Sequence, residues 1–136
     1  MTGRAAAVAL ALLLALLVLL AVATEARAGA PSRRQLEERE VVNAITAEFG
    51  AGPLGACFWR LAARESNLDP RAVNLTDRHA DGSTGSFGAL MIGALWRRPG
   101  ETVDHFRRRM MDPVANAREA RRLYDRYGLA PWGNRC

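Results

Sequence analysis

Glu65 closes the helical stretch Ala56-Cys57-Phe58-Trp59-Arg60-Leu61-Ala62-Ala63-Arg64-Glu65. At helical spacing it shares a face with Phe58, Leu61 and Ala62. Partial desolvation on such a face favours the neutral, protonated form of a carboxyl group. A protonated carboxyl in a cleft is what acid-catalysed cleavage of a glycosidic bond requires. The plainer reading is a surface glutamate at a helix end, paired with Arg64 or Arg60, and position alone favours it.

A second carboxylate for such chemistry has two candidates in the polar run that follows, Asp77 and Asp81. Asp81 has the better placement, although Asp81-Gly82 is also an ordinary turn dipeptide, and the turn reading outweighs catalysis there. His79 reads as a loop histidine and His105 as a helix-surface one. Two histidines and two cysteines make no zinc constellation, and Asp77, Asp81 and Ser83 lack the spacing and closing Glu of a calcium loop. No metal or other cofactor is expected. Asn74-Leu75-Thr76 matches a glycosylation sequon, relevant only in a eukaryotic secretory host. Trp59, Trp96 and Trp132 belong to core or cleft edge, with Trp132 the best placed to stack on a sugar.

The elements that must position these groups read as mainly helical. Leu36, Val41, Val42, Ile45 and Phe49 form a stripe over 35–49, broken by Gly50, Gly52 and Pro53. A second helix covers 54–66, and Asp69-Pro70 starts a single turn or short helix. Residues 74–86 form a loop or small β-hairpin. The apolar run Phe87 to Trp96 reads as a buried, glycine-weakened helix, with a strand still open at this length. A short helix spans 102–110. Asp112 caps the last helix, Pro113 takes its first position, and Ala117, Ala120, Leu123, Tyr124 and Tyr127 lie near one face until Gly128 ends it. The fold class is therefore a small helical domain with a short β-hairpin or loop after the second helix.

Residues 1–28 have a secretory layout: Arg4, an Ala/Leu/Val-rich run from Ala5 to Ala23, and the exit Ala26-Arg27-Ala28. The run is also long enough for an N-terminal membrane anchor if it stays uncleaved. Export is expected either way, to the periplasm, cell envelope or extracellular space. A short linker, 29–34, then precedes the domain, 35–136. All 19 basic residues are arginine, and residues 29–136 carry 17 of them against 13 Asp and Glu. That balance suits anionic cell-wall polymers. No nucleic-acid motif accompanies it, so nucleic acid is not an expected partner. Cys57 and Cys136 are an even count in an exported chain, which predicts one disulfide worth about 4–5 kcal/mol in the chain-entropy account.

In order, Arg64-Glu65-Ser66-Asn67-Leu68-Asp69-Pro70-Arg71-Ala72-Val73-Asn74, Gly85-Ser86-Phe87-Gly88 with Trp96 beyond, Met111-Asp112-Pro113-Val114-Ala115-Asn116-Ala117, Leu123-Tyr124, Gly128 and Pro131-Trp132 resemble the lytic transglycosylase branch of the lysozyme-like superfamily. The resemblance implies an α+β lysozyme-like fold, Glu65 as the catalytic acid, and peptidoglycan glycan strands as substrate for a monomeric enzyme. Ser66, Ser86, Phe87, Met91, Tyr124 and Trp132 are its implied substrate contacts. The family pattern Gly-Leu-(Met/Phe)-Gln-Ile is met by Gly88-Ala89-Leu90-Met91-Ile92-Gly93, with Met91 where Gln is usual; the other register puts Gly88 there. The Ala-Tyr-Asn-Ala-Gly segment of larger relatives is absent, and Tyr124, Tyr127 or Trp132 is left to replace its aromatic.

Two endings follow from one acid. In transglycosylases the same carboxylate activates the sugar's own 6-hydroxyl, giving a 1,6-anhydro-muramoyl end, and one carboxylate suffices because the nucleophile is intramolecular. In a hydrolytic muramidase a second carboxylate directs water, a role for Asp77 or Asp81. The anhydro ending is the expected one. A wall-binding protein with weak or no turnover is the competing class, and Met91 in place of Gln is the feature that feeds it.

Overall fold

The computed structural model describes residues 30–136 together with Leu16 and Leu17. The chain divides into Met1–Ser32 and Arg33–Cys136. In the first unit Leu16 and Leu17 are helical and exposed; the rest of the expected signal segment lies outside the described residues.

The second unit runs α1 (Arg33–Phe49), α2 (Pro53–Ser66), β1 (Val73–Arg78), β2 (Thr84–Phe87), β3 (Ile92–Gly93), a 3-10 helix (Ala94–Trp96), α3 (Val103–Met110), α4 (Pro113–Tyr127) and a second 3-10 helix (Ala130–Trp132). It is mainly helical, with a three-stranded antiparallel sheet after the second helix, in the order β1-β2-β3. α1 begins inside the stretch expected to be linker, extended by the one-turn pairs Arg33–Glu37 (3.0 Å) and Arg34–Glu38 (2.8 Å). Its buried face is Val41, Ala44, Ile45 and Phe49, whereas Leu36 from the expected stripe is exposed.

α2 starts at Pro53 and stops where Asn67 turns left-handed at φ 56°, its N–H bonding the Ala63 carbonyl at 2.9 Å. The Asp69 carboxylate then accepts the Arg71 N–H at 2.8 Å, making the single turn expected at Asp69-Pro70. α4 is capped by Asp112, which accepts from the Ala115 N–H at 2.7 Å, with Pro113 in its first turn.

The segment 87–96 is not a helix. It finishes β2, turns at 88–91 and runs into β3 and the first 3-10 helix. Gly88 and Met91 take φ values of 77° and 46°, which no helix interior contains. A Cβ at Gly88 would collide with the Met110 carbonyl and with Asn116 Nδ2, so the turn needs glycine for space as well as for its torsion.

Phe49 and Phe58 stack at 3.7 Å, Tyr124 meets both edge-on, and Trp132 meets Phe58 at 5.1 Å. Phe87 against Phe106 forms a second aromatic contact beside the sheet. Asn116 is buried in α4 between these parts. Its Oδ1 accepts from the Leu90 N–H (3.0 Å) and its Nδ2 donates to the Phe87 carbonyl (3.2 Å), so one side chain pins the β2–β3 turn to α4. Cys57 and Cys136 are joined in a disulfide with their Cα atoms 4.9 Å apart, tying the tail to the back of α2. Such a bond belongs to an oxidising, non-cytoplasmic compartment. Among the described residues no helix is long and apolar enough to cross a membrane.

Candidate functional site

The last turn of α2 presents Glu65 to an open groove of about 470 Å³. The hairpin β1–β2 supplies one wall with Asn74, Asp77, His79 and Ser86, and Met91 contributes from the β2–β3 turn. Gly93, Leu95 and Trp96, then Pro131 and Trp132, complete the lining. The size lies within the range of ligand clefts.

Glu65 keeps 30% of its side-chain surface exposed and pairs with Arg64, the partner that the plainer sequence reading names. Arg64 Nη2 and Nε both reach Oε1, at 2.8 and 3.1 Å. Oε2 has no protein partner among the described residues. Ser66 does not line the groove. Its hydroxyl proton is shared between the Ala89 carbonyl (2.8 Å) and the Ala62 carbonyl (3.0 Å), which fastens the end of α2 to the β2–β3 turn and so sets where Glu65 points.

The carboxylate that joins Glu65 in the groove is Asp77, not Asp81. Asp81 sits at the hairpin tip, outside the groove, where it accepts the Ser83 hydroxyl (2.5 Å) and N–H (3.0 Å) and faces Arg97 at 3.6 Å. The Ser83 bonds, with Arg97 adding to them, hold its carboxyl below the usual aspartate value. Asp77 accepts from Ser86 Oγ at 2.5 Å and from Asn74 Nδ2 at 3.0 Å.

A regular strand would put residues 74 and 77 on opposite faces. Here Asn74 pairs with Ser86 and Arg78 with Thr84, so residues 75–77 oppose Gly85 alone in a bulge. The Asn74 side chain shapes it, its Oδ1 accepting the Thr76 N–H (3.0 Å) and hydroxyl (2.7 Å). Both inward-facing positions of β1, 74 and 77, thereby reach the groove. Asn74-Leu75-Thr76-Asp77 is the local signal for this, an Asx turn ahead of the acid.

His79 Nε2 lies 2.9 Å from the Gly85 carbonyl, which can only accept, so Nε2 carries a proton. Its ring occupies the space beside Gly93, where a Cβ would sit 2.6 Å from Cε1.

The remaining expected contacts divide. Ser86 and Met91 are in the groove, while Phe87 is fully buried against Phe106 and presents nothing to it. Tyr124 belongs to the aromatic core with Phe49 and Phe58 and is not part of the groove lining. Trp132 is 8% exposed and its indole N–H donates to the Leu90 carbonyl at 3.0 Å, so it is a floor and not a free stacking face. Among the described residues no three His, Cys, Asp or Glu side chains stand together as a metal site.

No protein-family model matches the chain, and neither a curated protein nor a solved structure does.

Proposed function

We propose that this protein is an exported lytic transglycosylase of the lysozyme-like kind, acting in the periplasm, cell envelope or extracellular space. Its substrate is the β-1,4 bond between N-acetylmuramoyl and N-acetylglucosaminyl residues of peptidoglycan. The observation that carries the reading is Glu65 at the end of a packed helix, lining a groove with a polar hairpin wall, with one oxygen held by Arg64 and the other unbonded among the described residues. Oε2 is the oxygen that delivers the proton to the leaving glycosidic oxygen as the oxocarbenium-like transition state forms. The carboxylate left behind then accepts the proton of the muramoyl 6-hydroxyl as that oxygen closes on the anomeric carbon. Bond and proton balance without water, and the nucleophile's effective concentration is high.

Hydrolysis is a second reading, favoured by one observation: Asp77 stands in the same groove, held by Ser86 and Asn74. Water in place of the 6-hydroxyl would then give a reducing end. Mass spectrometry of purified peptidoglycan digested with the protein separates the two, because anhydro ends are lighter by one water. Anhydro-muropeptides that persist in Asp77→Asn establish the first reading. Reducing ends that vanish in that variant establish the second. Intact glycan after incubation with folded protein defeats both and leaves wall binding without turnover.

A further inference from the structure

The three described tryptophans have different situations. Trp59 is exposed on α2 but does not line the groove, and Trp132 is buried with its N–H committed to the Leu90 carbonyl. Trp96 alone of the three lines the groove without a hydrogen-bond acceptor for its indole N–H among the described residues. Its 3-10 helix is anchored through fully buried Ala94, whose carbonyl accepts both the Arg97 N–H (3.3 Å) and Arg97 Nη1 (2.9 Å).

Against Trp96 lies Tyr127 from the last turn of α4, ring centres 4.9 Å apart and planes inclined by 42°. Tyr127 is 39% exposed, and the Arg126 guanidinium stands 5.3 Å from the centre of its ring. Trp96 packs partly against the core and keeps the rest of its ring on the groove, so the tilted pair offers a π face to a ligand. Beside it is an unused N–H donor. The ligand that matches both is a pyranose ring, whose axial C–H groups form an apolar face while its ring substituents accept hydrogen bonds.

We infer that Trp96, with Tyr127 packed against its ring, forms a sugar-stacking subsite of the Glu65 groove, taking an N-acetylated β-1,4-linked sugar unit of the glycan strand. The inference rests on the glycan-cleaving reading above and adds to it the residues that hold the strand. They touch substrate away from the bond being cut, so they act on strand affinity and not on the proton transfer.

The test is calorimetric binding of a β-1,4-linked N-acetylglucosamine hexamer to Glu65→Gln protein, alone and combined with Trp96→Ala, Trp96→Phe or Tyr127→Ala. Loss of the Trp96 ring is expected to weaken binding about tenfold, from the apolar area no longer covered. Trp96→Phe keeps a ring and is expected to recover part of that loss. Trp59→Ala, exposed and outside the groove, serves as control. With wild-type background and peptidoglycan, Trp96→Ala is expected to raise KM about tenfold and to move kcat far less. Unchanged hexamer affinity and KM in Trp96→Ala and Tyr127→Ala overturn the subsite while cleavage by the Glu65 protein leaves the parent reading standing. No binding and no cleavage by the protein with Trp96 and Tyr127 intact overturn both.

Discussion

In the groove, Glu65 meets one arginine through one oxygen, whereas just ahead of α3 the Glu101 side chain is 4% exposed and both its oxygens are taken. Arg109 reaches them at 2.7 and 2.8 Å, the Arg98 N–H at 3.0 Å and His105 Nδ1 at 3.0 Å. Glu119, equally enclosed, takes the other side of Arg109 at 3.2 Å and also pairs with Arg122. The Arg109 bonds, aided by the Arg98 N–H, the Arg109 charge and His105, push the Glu101 carboxyl down to about 2 against the opposing effect of burial. The two regions teach different uses of the same residue type. A carboxylate that is enclosed and bonded through both oxygens holds Arg109 where it can also reach Glu119 on α4, and has no oxygen left for a ligand. One that is partly open and bonded through a single oxygen leaves its other oxygen free to meet a ligand.

The contrast is broken hardest at Glu65. Glu65→Gln keeps size and shape but removes the proton, and is expected to lower glycan cleavage by about 10²–10⁴-fold with an unchanged melting temperature. A zymogram paired with a thermal melt checks both halves, and undiminished clearing would take Glu65 out of the chemistry. Arg109→Met is expected to do the reverse. It removes the cation that two enclosed carboxylates share and should cost about 3–5 kcal/mol in denaturant unfolding, while the protein that remains folded cleaves normally.

Acid titration sharpens the same comparison. Glu101 has its folded value lowered from 4.5 to about 2, so its contribution is complete above pH 4.5 and lost as pH falls toward 2. The loss is on the order of 3 kcal/mol, and Glu101→Gln should flatten the stability profile in that window. The smallest effect is at Asp81, a solvated turn residue. Asp81→Asn is expected to change cleavage by less than about twofold. A larger fall would return the hairpin tip to the mechanism.

Helix ends were legible wherever a single residue sets them: Pro53, Asp112 with Pro113, and Gly128 all act within one turn of their own position. The Cys57–Cys136 pairing was legible from count and context. For the stretch 87–96 the sequence favours a helix and leaves a strand open, because apolar composition is the same for a buried strand and a buried helix. What decides between them is the left-handed backbone at Gly88 and Met91 and the distant Asn116 that fixes their turn. Asp77 reaches the groove against simple strand alternation. Alternation along a strand gives the wrong face once the Asn74 side chain has folded a bulge ahead of it. Tyr127 shares a helical face with Leu123 in sequence, yet it leaves the core to meet Trp96, a contact that depends on where the first 3-10 helix ends.

The disulfide has a consequence for survival among proteases. Its two cysteines are 79 positions apart, so the hairpin, the groove and both helices of the Arg109 network all lie within one covalent ring. Exposed loop tips are where proteases cut first, and the hairpin tip at Asp81-Gly82 is such a place. One cut there opens the ring into a single cross-linked piece and releases nothing. Shedding a fragment of the groove takes a second cut within the ring or reduction of the bond.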